Sequence, residues 1–187
     1  MAKLLREKVV FSDKLTLEKG ELEQDGENYY RLRVKREDAA AVLVINTESK
    51  KVILTKQFRY AIAARTEEDI LEIVAGKINE KEEDAVQCVL RETEEETCYK
   101  IRPGNLQIML TCFSTPGYSS ERFIVFLARV SNEDKITKGG GLKSEHEDIS
   151  LVEMDTNEFI ENIKTARFKD AKTYIAGLYM LSHNLFP

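Results

Sequence analysis

The sequence predicts an α/β fold in which a mixed β-sheet is sandwiched between helices, preceded by a small N-terminal antiparallel β segment. Three observations support this prediction. A continuous apolar run over residues 39–45 is typical of a central strand covered on both faces. A segment with helical periodicity lies between two groups of strand-like segments. Two more helical segments close the chain, as expected when helices flank a sheet.

The composition indicates one globular domain with a small appendage. The chain has 187 residues, 42% hydrophobic and 33% charged, which is enough to bury a substantial core and too apolar for disorder. Its net charge is -5 with no basic block, which argues against nucleic acid as a partner. No apolar run approaches the roughly 20 residues of a membrane span, and the N-terminus lacks a signal-peptide core. We therefore expect a cytoplasmic protein without a membrane partner.

The first forty residues form the predicted β segment. Residues 8–40 alternate in two or three polar strands, with a turn at Asp25-Gly26. So few strands bury little surface on their own. We therefore expect residues 1–40 to pack on the main domain, residues 41–187, or on a partner subunit.

The elements of the main domain follow in a defined order. The Pro-Gly pair of the loop at residues 114–117 is predicted to give a tight turn between strands, and the Ala75-Gly76 pair is predicted to end a strand. The predicted elements are strands at 39–45, 52–59 and 70–74, a helix over about 82–97, strands at 106–113 and 122–130, a Gly-rich acidic loop over 139–148, a strand at 149–152, and helices over about 156–164 and 170–183.

Carboxylates crowd one turn of the first predicted helix. Glu92 and Glu96 lie one turn apart at the edge of its apolar stripe, whereas Glu94 points away. Like charges at this spacing destabilise a bare helix by roughly 0.2–0.5 kcal/mol. A divalent cation such as Mg²⁺ removes this penalty, because it takes carboxylate, water and phosphate oxygens as ligands. The alternative is a solvated charged face screened by Arg91 and Lys100. The predicted stripe consists of Val86, Val89, Leu90, Thr93 and Thr97.

The acidic helix and the glycine before it resemble the box of the Nudix hydrolases. That box has a glycine, a spacer, a glutamate, seven residues and an Arg-Glu-x-x-Glu-Glu block, matched here by Gly76, Glu83 and residues 91–96. The spacer before Glu83 is one residue longer than usual, and we expect the insertion in the loop before the helix. Taking Glu82 instead restores this spacer but lengthens the next. Cys98 replaces the closing glycine, so a left-handed cap there costs about 1 kcal/mol or gives way to another turn.

The resemblance implies a Nudix fold and a divalent-metal site. The glutamates matching Glu92 and Glu96 hold the metal, often with Glu95, which we group with the catalytic residues. The backbone carbonyl of Ala75 commonly contributes. The implied ion is Mg²⁺, with Mn²⁺ as a substitute.

Further matches concern structure and the substrate. The resemblance makes Glu83 and Arg91 a structural ion pair that joins loop to helix. Flanking stretches resemble the branch of ADP-ribose pyrophosphatases and GDP-mannose hydrolases, in which a strand ending Gln-Phe-Arg and a Glu-x-x-Ala-Gly approach precede the box. These matches imply that Arg59 and Glu72 bind substrate. The Ser-Pro-Gly loop of that branch implies the same role for Gly117, and residues 168–173 match the start of its last helix.

The Gly-rich loop carries two glutamates, Glu145 and Glu147. Glycines followed by alternating carboxylates favour a mobile loop that swings acids over a substrate, while a solvated loop is the plain alternative. In the branch, a glutamate of this loop acts as general base or binds another metal. We assign Glu145 as base and Glu147 as metal-linked, leaving the reverse assignment open.

These features predict Mg²⁺-dependent hydrolysis of the diphosphate bond of a nucleoside-diphosphate sugar. ADP-ribose, giving AMP and ribose 5-phosphate, is the first candidate, and GDP-mannose or another sugar nucleotide is the alternative. The branch implies a homodimer joined through the N-terminal strands. A non-catalytic nucleotide-sensing module is a rival. A diphosphate isomerase would be expected to use a catalytic cysteine, but Cys88, Cys98 and Cys112 lack a supporting motif and suit reduced thiols in a cytoplasm.

Overall fold

The computed structural model describes residues 1–79, 81–136 and 148–186. It contains two compact units. The first unit comprises residues 1–38 and 112–123, and the second comprises residues 39–111 and the chain from residue 124 onward.

The first unit is built on a three-stranded antiparallel sheet in the order β1-β2-β3. Its strands are β1 (Lys3–Ser12), β2 (Thr16–Gln24) and β3 (Glu27–Lys35). Asp25 and Gly26 both have positive φ, 54° and 85°, as a tight two-residue hairpin turn requires. β1 begins five residues before the predicted start of the segment.

The second unit contains a seven-stranded sheet. Along its main path the order is β10-β5-β4-β9-β8, while β6 pairs with β5 and β7 pairs with β4. The strands are β4 (Ala39–Asn46), β5 (Lys51–Gln57), β6 (Ile70–Glu72), β7 (Val74–Lys77), β8 (Leu106–Phe113), β9 (Arg122–Val130) and β10 (Ser150–Asp155). The predicted α/β fold with an N-terminal antiparallel segment is confirmed.

The core of the second unit surrounds β4. All eight residues of β4 are buried, as its apolar run predicted. A fully buried Val, Leu or Ile side chain contributes about 1.5–3 kcal/mol, so this strand anchors the unit. The side chains packed with it come from several strands and from the first helix and include Ile53, Val74, Val89, Tyr99, Phe126 and Ala128.

The segment before the first helix differs from the prediction of one strand ended by Ala75-Gly76. The chain changes partner at Ile73, with β6 pairing β5 and β7 pairing β4. Gly76 lies within β7 opposite Ala40, so the predicted strand end was wrong. The Ile73 N–H at the break donates to the Thr173 hydroxyl over 3.0 Å.

Within the described part of the second unit, the α-helices are α1 (Ala85–Thr97), α2 (Thr156–Lys164) and α3 (Ala171–Ser182). α1 packs against β7 and β4, α3 against β4, and α2 against β10 and β5. α1 begins later than predicted because Asp84 is its N-cap and forms a capping box with Gln87. Val86 in the first turn is exposed, contrary to its predicted place in the apolar stripe, and the buried stripe begins at Cys88. Among the described residues, no helix has the length and apolarity needed to cross a bilayer.

Candidate active site

The glutamates of α1 differ in environment. Glu96 is buried, with 6% of its surface exposed. Glu92 and Glu95 are partly covered, and Glu94 faces solvent. Glu92 and Glu96 are therefore less exposed than Glu94, as the helical spacing predicted.

Gly76 lies directly beneath Glu92. A Cβ built on Gly76 would meet Glu92 Oε1 at 2.0 Å, Cδ at 2.2 Å and Cγ at 2.3 Å, so any side chain at position 76 would displace the glutamate. Glycine at position 76 therefore leaves the space that the Glu92 side chain occupies. The contact places the Glu92 carboxylate against β7, the strand that contains Ala75. Ala75 pairs with Ala41 and is half-buried.

Arg91 organises the loop before α1. Its Nη2 and Nε donate to the two oxygens of Glu83 at 2.8 and 3.1 Å. These bonds hold the pKa of Glu83 below its usual value, and the carboxylates raise the pKa of Arg91. Arg91 Nη1 also lies 2.9 Å from Glu92 Oε1 and 3.1 Å from Glu95 Oε2. One guanidinium thus joins the loop glutamate to two glutamates of the helix.

The same loop locates the extra residue of the spacer. Glu83, not Glu82, pairs with Arg91, whereas the Glu82 carboxylate accepts from the Asn79 side chain at 2.6 Å. The backbone N–H groups of Glu82 and Glu83 both donate to the Asn79 carbonyl. The longer spacer is therefore absorbed between β7 and α1.

The end of α1 keeps a left-handed cap without glycine. Cys98 has φ 64° and ψ 7°, and its N–H donates to the Glu94 carbonyl at 3.3 Å. Cys98 is buried, as is Cys88, while Cys112 is half-buried. Burial, together with Glu83 and Glu92, raises the pKa of the Cys88 thiol to about 12. A thiol with this pKa is a poor nucleophile at neutral pH.

Arg59 and Glu72 form a second charged cluster in the second unit. Arg59 Nε and Nη2 donate to Glu72 Oε2 at 2.7 and 2.6 Å. Lys172 Nζ lies 3.4 Å from Glu72 Oε1 and 2.7 Å from Asp170 Oδ1. Asp170 also caps α3 by accepting from the Thr173 N–H at 2.9 Å. Lys172 and Asp170 were not predicted as site residues, although the Asp-x-x-Thr spacing of a helix N-cap indicates Asp170.

The remaining predicted residues lie elsewhere. Glu145 and Glu147 are outside the described residues. Gly117 belongs to the first unit, in an exposed turn where Tyr118 N–H donates to the Thr115 carbonyl at 3.1 Å. A Cβ on Gly117 would meet nothing within 4 Å.

The donors of α1 suit a hard cation. Glu92, Glu95 and Glu96 offer carboxylate oxygens, which Mg²⁺ prefers, and Gly76 leaves room for one of them at the strand. Within residues 1–79, 81–136 and 148–186, no three His, Cys, Asp or Glu side chains already converge on one point. Glu92 and Glu95 are instead both held by Arg91.

Comparison with known proteins identifies the family. The model of the NUDIX domain matches residues 35–175, which include both charged clusters. The chain belongs to the Nudix family. The GDP-mannose pyrophosphatase of Escherichia coli (strain K12) is 29% identical over 189 residues, covering 97% of this chain and 96% of the relative. The enzyme of the same name from Shigella flexneri serotype 5b is 29% identical over 188 residues, covering 96% and 95%.

A solved structure shows the same fold. The crystal structure of an ADP compounds hydrolase superposes with a TM-score of 0.78 at 18% identity, covering 97% of this chain and 92% of that one. The prediction of a Nudix pyrophosphatase is confirmed, and the chain is a Nudix hydrolase.

Proposed function

We propose that this Nudix hydrolase cleaves the diphosphate bond of a nucleoside-diphosphate sugar with the help of Mg²⁺. The observation that carries the proposal is the placement of Glu92 on Gly76, with the buried Glu96 one turn further along α1. Glu92, Glu95 and Glu96 would hold the ion together with the Ala75 carbonyl. When bound, Mg²⁺ neutralises phosphate oxygens and lowers the pKa of the attacking water.

The chain's own residues supply position and a proton acceptor. Arg59 is exposed over 43% of its side chain and suits a phosphate oxygen of the substrate, while Glu72 fixes its guanidinium. Water attacks one phosphorus, the bridging P–O bond breaks, and a nucleoside monophosphate and a sugar phosphate leave. Glu145 or Glu147 accepts the proton of the water. We also propose Gly117 as a backbone contact for substrate.

The relatives favour GDP-mannose as the first substrate to test. The Escherichia coli and Shigella flexneri relatives, each matched over at least 95% of its length, carry that name, and the reaction would give GMP and mannose 1-phosphate. ADP-ribose, ranked first from the sequence, is the second candidate. The flanking stretches resemble a branch that includes ADP-ribose pyrophosphatases as well as GDP-mannose hydrolases.

We further propose a cytoplasmic homodimer formed through the first unit. Large apolar side chains of its strands and of the turn between β1 and β2 are exposed, which is unfavourable unless another surface covers them. They are Leu4, Leu5, Val9, Val10, Phe11, Leu15, Tyr30 and Leu32.

A substrate panel tests the activity. GDP-mannose, ADP-ribose and UDP-glucose are incubated with enzyme and Mg²⁺, and phosphate is released from the products by a phosphatase. We expect turnover that EDTA abolishes and that Glu96→Gln lowers by at least about 100-fold, in line with loss of a metal ligand in a phosphoryl-transfer site. Glu94→Gln, on the exposed face of the same helix, is the matched control and keeps wild-type turnover.

The outcomes separate the enzyme from a sensor. Nucleotide binding without turnover of any compound would favour a non-catalytic sensing module. Full activity in Glu96→Gln would remove α1 from the mechanism. Binding of Mn²⁺, followed by electron paramagnetic resonance, gives a second readout that does not depend on the substrate.

A further inference from the structure

A network of charged side chains joins the N-terminus of α3 to Arg59. We propose that Lys172, anchored by Asp170, is a positioning residue that acts through Glu72 to aim the Arg59 guanidinium. The inference rests on the proposed function in one respect, the binding of a substrate phosphate by Arg59.

Glu72 is the centre of the network. Only 5% of its side chain is exposed, and each of its oxygens has its own cation. Oε2 accepts from Arg59, and Oε1 lies 3.4 Å from Lys172 Nζ. A cation on each of its two oxygens fixes the plane of a buried carboxylate. That plane then fixes the orientation of the arginine bonded to it.

Lys172 is itself held in place. Its side chain is largely buried, and Nζ donates to Asp170 Oδ1 at 2.7 Å. Asp170 Oδ2 accepts from both the N–H and the hydroxyl of Thr173, at 2.9 and 2.8 Å. The Thr173 hydroxyl in turn accepts from the Ile73 N–H. The start of α3 is thus bonded to the residue after Glu72 as well as to the Glu72 carboxylate.

The arrangement leaves Arg59 oriented but accessible. Nε and Nη2 are bonded to Glu72, and 43% of the side chain is exposed. Without Lys172, Glu72 Oε1 loses a cationic partner and the carboxylate can rotate, which changes the direction of the guanidinium. Because Arg59 is proposed to contact a phosphate of the bound substrate, a changed direction of the guanidinium should weaken substrate binding.

Four variants test the proposal on sugar-nucleotide hydrolysis: Lys172→Met, Lys172→Arg, Arg59→Ala and the double variant Lys172→Met/Arg59→Ala. We expect Lys172→Met to raise KM about tenfold with kcat within about threefold, the pattern of lost uniform binding. Lys172→Arg keeps the charge and stays within about threefold of wild type in both parameters. Lys169→Met is the matched control with no change, because Lys169 pairs with the exposed Glu68.

The double variant is decisive. A residue that acts only through Arg59 has no effect once Arg59 is gone, so adding Lys172→Met to Arg59→Ala should change kcat/KM by less than about twofold. Additive losses would show that Lys172 contacts the substrate itself. A lowered melting temperature with wild-type kinetic parameters would reduce Lys172 to a structural role. Either result overturns the proposal.

A binding measurement separates this proposal from the proposed function. If the wild type hydrolyses no compound of the panel, the activity proposal fails while the network is still tested by calorimetric titration with GDP and ADP. The affinity of Lys172→Met should then fall about tenfold, and the loss should again vanish in the Arg59→Ala background. Unchanged affinity in Lys172→Met would reject the network.

Discussion

The two sheets of this protein are stabilised in opposite ways. β4 of the second unit is buried along its whole length. In the first unit, which the structure describes completely, Glu18 is the only buried residue, and all ten residues of β1 are exposed. Glu18 is covered by Arg33 and Lys35 instead of an apolar core, because both cations pair with its carboxylate.

This difference separates the tasks of the two sheets. Exposed ion pairs contribute about 0–1 kcal/mol each, and a small sheet without an apolar core is marginal in water. The first unit therefore depends on covering its exposed apolar side chains, as the proposed dimer would. The second unit has its own core, whose strands hold Gly76 and Glu72 in position, and Glu72 in turn holds Arg59 through its carboxylate.

The largest effect should follow from filling the space beneath Glu92. Gly76→Ala places a methyl group about where Glu92 Oε1 now lies, so the carboxylate must move away from β7. We expect kcat/KM for the sugar nucleotide to fall by about 100-fold or more, and stability to fall by only about 1 kcal/mol, because the atoms that must move are the end of a flexible side chain. Steady-state kinetics and thermal unfolding measure the two effects.

Gly104→Ala is the control for this substitution. A Cβ on Gly104 meets nothing within 4 Å, so activity and melting temperature should stay at wild-type values. Wild-type activity in Gly76→Ala would show that the tight contact between α1 and β7 is not needed for function.

The exposed sheet makes the second prediction. Phe11→Glu places a charge among the exposed apolar side chains of β1 and should weaken the proposed dimer by about 2 kcal/mol or more, roughly thirtyfold in Kd. Sedimentation equilibrium should show twice the monomer mass for the wild type and a shift to monomer for the variant. Leu178→Glu on α3 is matched in exposure, 54% for both side chains, and should leave the mass unchanged. A wild-type monomer would contradict the proposal.

Local patterns in the sequence predicted much of the second unit. The bounds of β8, β9 and α2 agree with the prediction, because strand alternation and helix caps are encoded by neighbouring residues. The α1 glutamates were found in the same way, since helical spacing fixes which side chains share a face. The N-cap Asp84, which moved the start of α1, shows that a cap can decide a boundary that periodicity leaves open.

Contacts between distant residues were beyond these patterns. Nothing near Gly76 in the sequence shows that Glu92 rests on it. Where the chain changes strand partner, the Ile73 N–H donates to the Thr173 hydroxyl, one hundred residues away along the sequence. The Lys172–Glu72 contact spans the same sequence distance. Such contacts depend on how α1 and α3 dock on the sheet, and local sequence patterns do not reveal that docking.

The end of α1 allows a smaller prediction about the rigid unit. At φ 64°, Cys98→Gly removes the strain of a left-handed residue, whereas Cys98→Ala keeps it. Both variants lose the thiol, so Cys98→Gly should be more stable than Cys98→Ala by about 1 kcal/mol in urea unfolding. Ala85 at the start of the same helix gives the opposite sign, because Ala85→Gly should destabilise by about 0.5–1 kcal/mol. Equal stability of the two Cys98 variants would mean that the cap relaxes.

The smallest expected effect is the loss of one Glu–Arg ion pair, and one such pair from each unit is compared. Arg91 lowers the pKa of Glu83, and Arg33 lowers the pKa of Glu18, both below the ordinary 4.5. As pH falls, these glutamates therefore take up a proton in the unfolded chain before they do so in the folded protein. Each pair thus stabilises the fold above about pH 4.5, and its contribution disappears as pH falls through the lowered pKa. Glu83→Gln should cost at most about 1 kcal/mol of unfolding free energy at pH 7, with the difference from wild type vanishing in acid. Glu18→Gln should cost no more than Glu83→Gln, because both arginines keep other carboxylate partners, Glu7 for Arg33 and the two helix glutamates for Arg91. A larger pH-dependent loss in Glu18→Gln would break the contrast between the two units, since it would mean that charge alone stabilises the first sheet.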